Sequence, residues 1–226
     1  MTKSGVYNHN IEELPIAVID FETTGMMPGN DRVVEVSVVK VEPGKEPYIA
    51  FDTLVNPCRN VGATYIHGIR NSDVEDAPVF EEIAGDFVDS LSGCMVAAYN
   101  VYFDIKFLRH ELAMAGVDWE VPHFCLMYMR KMLDIGDRCS LDLACQKHNI
   151  TLENAHTAGA DALASAKLMD VYFEQMRQRN IKTYKHLSLL KRYKFIDSFE
   201  NSPLPTCENF NLKPTGKTLS RMPNLS

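Results

Sequence analysis

Hydrophobic and polar positions along the chain fall into two regimes. In Ile16 to Glu22, Arg32 to Val41 and Tyr48 to Val55, apolar residues run together or alternate with polar ones, and Pro43, Gly44 and Pro47 break the second run from the third. That pattern predicts three strands, and three in succession predict an antiparallel meander. From Phe80 the spacing becomes helical in FEEIAGDFVDSL, followed by a short buried strand at Met95 to Ala98. Asn100 can cap a helix over Tyr102 to Ala115, a weak strand is expected at His123 to Leu126, and Ser140 can cap LDLACQKH. A last long helix is predicted from about Thr157 to Met176. A meander followed by strand and helix in alternation predicts an α/β fold, a mixed sheet flanked by helices. Beyond about residue 180 the periodicity weakens, and Pro203, Pro205, Pro214 and Pro223 punctuate the rest. The expected organisation is one domain over 1–180 and a tail over 181–226 with little regular structure.

The first strand holds an anomaly. Alternation puts Asp20 and Glu22 on one face of an otherwise apolar run, so two carboxylates aim at one spot. Burial and mutual repulsion would favour protonating them unless a cation compensates, and hard cations such as Mg²⁺ take oxygen ligands. Taken alone, the pair fits equally well a strand end emerging into solvent before the Thr23-Thr24-Gly25 turn.

Composition narrows the class. The chain has 226 residues, 46% of them hydrophobic, enough for one well-buried domain. No apolar stretch reaches the length of a membrane span and the N-terminus lacks a signal pattern, so a cytoplasmic protein without membrane contact is expected. Six scattered cysteines without a CxxC pair argue against zinc and against a disulfide framework. The net charge of −7 conceals an asymmetry. Residues 1–176 hold 13 Lys and Arg against 27 Asp and Glu, whereas residues 177–226 hold 10 against 3. The acidic body is a poor polyanion binder. The basic tail is either a phosphate-backbone contact or a solvated surface.

Two further acids change the weight of the opening pair. Asp104 lies near the start of a helix that follows a buried strand, and Asp161 lies among Ala158, Gly159, Ala160, Ala162 and Ala164, small residues that let a helix approach a sheet. His156 precedes Asp161 by five residues, about 500° of helix rotation, so it belongs to the loop before the helix.

On DFETTG at Asp20 to Gly25, YNVYFD at Tyr99 to Asp104 and HTAGADA at His156 to Ala162, the chain resembles the DEDDh 3′→5′ exonucleases, whose proofreading representative is the epsilon subunit of bacterial DNA polymerase III. Supporting matches are Asn56-Pro57, IHGI at Ile66 to Ile69 and SLDLAC at Ser140 to Cys145, and the resemblance covers about residues 14 to 176. It implies a ribonuclease H-like fold, a mixed five-stranded sheet with the antiparallel meander first and parallel strands after.

The resemblance further implies that Asp20, Glu22, Asp104 and Asp161 hold two divalent ions, Mg²⁺ or Mn²⁺, and that His156 is the general base. It implies that Thr23, Thr24 and Gly25 contact the terminal nucleotide, with Met26, Phe103 and Phe107 as candidates to pack on terminal bases. Phe107 reads better as core, and Met26 equally as either. His67 in IHGI and Asn100 are read as holding or lining the nucleotide groove. Two positions depart from the family pattern: Tyr99 stands where His is frequent, and Cys125-Leu126 where Asp-Thr is frequent. The implied activity is metal-dependent release of nucleoside 5′-monophosphates from single-stranded 3′ ends, DNA rather than RNA, with a polymerase or repair partner. The alternatives are the same chemistry on RNA or short oligoribonucleotides, and a non-catalytic module that binds nucleic acid or a polymerase.

Overall fold

A computed structural model describes residues 6–216. Its centre is a five-stranded sheet built from β1 (Ile16–Thr23), β2 (Val33–Val41), β3 (Tyr48–Leu54), β4 (Met95–Ala98) and β5 (His123–Cys125). The order across the sheet is β3-β2-β1-β4-β5. The meander β1-β2-β3 is antiparallel, and β4 and β5 run parallel to β1. This is the mixed sheet that the change of period predicts.

The helices are α1 (Thr64–His67), α2 (Asn71–Val74), α3 (Phe80–Ser90), α4 (Val101–Met114), α5 (Leu126–Met132), α6 (Leu141–Lys147), α7 (Ala158–Gln178), α8 (Tyr184–Ser188), α9 (Ser198–Asn201) and α10 (Cys207–Phe210). Ile16, Ala17, Val18 and Ile19 of the central β1 are all fully buried, as expected of a strand covered on both faces. On one face Phe21 and Phe51 meet Phe87 of α3, each with ring centroids 5.9 Å apart. The other face carries Asp20 and Glu22 and is covered by α7. The small residues Ala158, Gly159 and Ala162 let α7 descend onto it, so that a Cβ on Gly159 would come within 3.4 Å of Asp52 on β3.

Of two expected helix caps, one forms and one does not. Ser140 does cap α6, its Oγ accepting from the Leu143 N–H at 3.3 Å. Asn100 does not cap α4 with its side chain: at φ −117°, ψ 67° its backbone is outside the extended range that aims a cap at the first turn.

Residues 181–216 are not the loosely structured tail that the weak periodicity predicts. Tyr184, Leu187, Phe195 and Phe199 are fully buried against the sheet end. The segment pairs with the N-terminal stretch, Asn10 bridging Thr183 and the Ile11 N–H donating to the Lys182 carbonyl at 2.9 Å. Farther on, the chain straps across α3, with Asp86 accepting from Thr215 Oγ1 and from the Gly216 N–H. Some of its basic charge is spent on the acidic body, Lys191 lying 3.6 Å from Asp134. The last ten positions of the expected tail lie outside the described residues. Among the described residues all six cysteines are free thiols, and no helix is long and apolar enough to cross a membrane.

Candidate active site

Three carboxylates converge where β1 ends. Ligand oxygens of Asp20, Glu22 and Asp161 lie within 4.8 Å of one another. Strand alternation supplies the first two, and α7 brings down the third. Asp104, in the first turn of α4, is buried beside Asp20 but does not join this compact trio. It gives the largest charge contribution to raising the Asp20 carboxyl, after burial itself.

Electrostatics marks the cluster as incomplete. Burial, reinforced by Asp104, Asp161, Glu22 and Glu35, pushes Asp20 well above the carboxylate range. Burial with Asp161, Glu35 and Asp104 pushes Glu22 up to about 8. Asp104 rises to about 7 through burial, with its own N–H and that of Phe21 pulling the other way. Asp161 is raised by burial and partly relieved by the His156 N–H. Ionising this group needs compensating positive charge, and a set of hard oxygen donors fits a divalent cation.

Glu35 went unread in the sequence. It lies on β2 directly opposite Glu22, buried, and its Oε2 accepts the Ala158 N–H at 2.9 Å. The run VVEVSVVKV carried the signal, because Glu35 and Ser37 share the face of Glu22 and Asp20. His156 is exposed on the turn before α7 at φ 70°, and its backbone N–H reaches Asp161 Oδ1 at 3.4 Å.

The turn after β1 is tied down. Thr23 Oγ1 donates to the Gly25 carbonyl at 2.6 Å and Thr24 Oγ1 to Asp31 Oδ1 at 3.1 Å. A Cβ on Gly25 would fall 2.6 Å from the Asp31 carboxylate, which would have to give up its place against Thr24. Gly62 packs on the same turn, a Cβ there falling 2.2 Å from the Thr24 carbonyl, and this brings the loop with His67 alongside. His67 accepts from the Ile69 N–H through Nδ1 at 3.1 Å, which leaves Nε2–H to donate to the Gly62 carbonyl at 3.1 Å. With both nitrogens used, His67 holds its loop. Met26 is 71% exposed beside the turn. Phe103 is half-buried, its ring 5.0 Å from that of Phe107, and Phe107 is fully buried in the core. Asn100 is exposed at the mouth of β4.

The two departures from the family pattern serve packing. The Tyr99 O–H is shared between the Cys139 and Ser140 carbonyls at 2.8 and 3.0 Å, and Cys125 Sγ donates to the Tyr99 carbonyl at 3.3 Å. Together they lock β4, β5 and the loop before α6.

Comparison with known proteins identifies the family and the fold. Residues 17–169 match the exonuclease family. A DNA polymerase III subunit epsilon-like protein of Rhodobacter capsulatus is 30% identical over 77% of this chain and 26% of its own length. A PolC-type DNA polymerase III of Thermotoga petrophila is 29% identical over 82% of this chain and 14% of its own. The chain therefore spans about a quarter or less of these relatives. Among solved structures, exonuclease X in complex with 5′ overhanging duplex DNA superposes with a TM-score of 0.58 at 21% identity, covering 78% of this chain and 99% of that one. Exonuclease I of E. coli with a dT13 oligonucleotide gives 0.60 at 19% identity, covering 74% and 43%. These likenesses show the same ribonuclease H-like fold.

Proposed function

The chain belongs to the exonuclease family, and from that premise we propose that it is a metal-dependent 3′→5′ exonuclease releasing nucleoside 5′-monophosphates from the 3′ end of DNA. The observation that carries the reading is the convergence of Asp20, Glu22 and Asp161, with Asp104 buried beside them, at the end of a strand that opens into a rigid turn.

Asp20, Glu22, Asp104 and Asp161 would hold two Mg²⁺ or Mn²⁺ ions. Bound there, such ions supply positive charge against the phosphodiester and acidify a water. The remaining work falls to the chain. His156, exposed and preceding a helix whose start is fixed, takes the proton of the attacking water. The Thr23 to Gly25 turn seats the terminal sugar by close backbone approach, and the bonds from Thr23 to the Gly25 carbonyl and from Thr24 to Asp31 hold it rigid before the substrate arrives. Met26 and Phe103 pack on the terminal bases, a contact that tolerates any sequence. His67 and Asn100 shape the groove wall.

Single-stranded DNA ends are the proposed substrate, and a polymerase or repair assembly is the proposed partner. Support comes from the polymerase III relatives and from the DNA bound in the two structural neighbours. The test is Mg²⁺-dependent release of nucleoside 5′-monophosphates from single-stranded DNA, abolished in Asp20→Asn. Metal-loaded protein that binds strands without cutting them would overturn the reading.

A further inference from the structure

We propose that Glu35 is a positioning residue that fixes His156 and Asp161 by capping α7 from a neighbouring strand; the proposal rests on the exonuclease reading above. Helices are usually capped by the side chain at the boundary residue. In α7 that residue, Thr157, does not do so: its Oγ1 turns back to donate to the Asn154 carbonyl at 3.0 Å. The first helical N–H, that of the fully buried Ala158, is instead taken by Glu35 Oε2 at 2.9 Å, across 123 positions of sequence.

The geometry makes this one bond consequential. Glu35 is held by β2, paired to Glu22 on one side and Leu54 on the other, so its carboxylate is fixed relative to the β1 acids. Ala158 stands two residues after His156 and three before Asp161. The turn leading into α7 takes left-handed backbone twice, at Asn154 (φ 52°) and His156 (φ 70°), and the His156 N–H bond to Asp161 is long at 3.4 Å. The Glu35 bond is thus the short, buried anchor that registers α7 against β1. Setting a carboxylate opposite Glu22 costs repulsion. The positive end of α7 offsets that cost, and an apolar residue in its place would leave the Ala158 amide without this acceptor.

Glu35→Gln keeps a carbonyl acceptor, and Glu35→Met removes it at similar volume. The experiment measures kcat and KM of the full chain on 5′-labelled single-stranded DNA with Mg²⁺. It also measures Mn²⁺ affinity by calorimetry and amide exchange over 154–161. In Glu35→Met, kcat falls roughly 10–100-fold with KM held within about twofold, Mn²⁺ binding weakens as Asp161 loosens, and exchange quickens. Glu35→Gln recovers most of the kcat, the Mn²⁺ affinity and the protection. If Glu35→Met does not fold, adding Thr157→Asp supplies a local cap, and recovery of both folding and kcat supports the proposal. Equal losses in both variants with weakened Mn²⁺ binding would make Glu35 a metal ligand and overturn it. So would wild-type kcat and exchange in Glu35→Met. Wild-type protein that cuts no DNA overturns the exonuclease reading, while the exchange data still decide the cap.

Discussion

Glu22 on β1 and Glu35 on β2 are direct cross-strand partners. Like charges placed opposite each other destabilise a sheet pair, and these two share their surroundings with half-buried Asp20 and Asp161 and with buried Asp104. A fold that tolerates this arrangement must neutralise it with protons or with a cation.

That requirement has a definite sign. Asp20, Glu22, Asp104 and Asp161 all hold protons more tightly folded than unfolded. Their contribution to stability is therefore present at acid pH. It is lost as pH rises from the ordinary carboxylate range through the folded values of about 7 for Asp104 and about 8 for Glu22. With chelator, the thermal midpoint falls across this window. Millimolar Mg²⁺ or Mn²⁺ raises it most at the alkaline end, and Asp20→Asn blunts the response. Thermal scans at several pH values with and without metal check this, and a metal response equal at all pH values would contradict it.

Arg32 and Glu111 predict a purely structural effect. Arg32 Nη2 lies 2.7 Å from Glu111 Oε2, and Glu111, 1% exposed, also accepts the Val33 N–H at 3.1 Å. This pair ties the start of β2, next to the Thr24 turn, to the helix that carries Asp104. Arg32→Ala leaves a buried carboxylate without its cation and costs about 3–5 kcal/mol of unfolding free energy, whereas Arg32→Met with Glu111→Leu recovers much of it. Denaturant unfolding of the three variants is the measurement.

The sequence carried the sheet and the carboxylates of β1 plainly, because strand alternation is visible whenever one face is apolar. Glu35 is harder to see. In VVEVSVVKV the alternation puts Glu35 and Ser37 on one face, but that this face lies beside Asp20 and Glu22 and under α7 follows only from the pairing and the descent of the helix. The packing of the C-terminal segment is not legible in the sequence because helices of four and five residues carry no periodicity. Its better signal is the density of aromatics, Tyr184, Tyr193, Phe195 and Phe199, whose rings pack in a chain in the fold.

That segment sets the third prediction. A chain ending before Thr183 exposes the pocket that Tyr184, Phe195 and Phe199 fill and loses the pairing with Asn10, so it aggregates or unfolds. A chain ending at Gly216 keeps the strap on Asp86 and the native thermal midpoint. Circular dichroism and size-exclusion of the two truncations decide between a docked segment and a dispensable one.

His156→Ala removes an exposed side chain, so the protein stays folded and still binds Mn²⁺. As the loss of a general base, it lowers kcat by roughly 10²–10⁴-fold. Turnover near wild type, with chemistry shown to be rate-limiting, would remove His156 from the mechanism.

Cleavage of 5′-labelled single strands in Mg²⁺, with the 3′ end either free or bulkily blocked, tests the account most directly. A groove that seats the terminal sugar against the Thr23 to Gly25 turn accepts only an accessible 3′ end. DNA with a free 3′ hydroxyl shortens one nucleotide at a time with release of 5′-monophosphates, the blocked strand persists, and RNA is cut more slowly. Internal cleavage of the blocked strand, or binding without cleavage by metal-loaded protein, would contradict it.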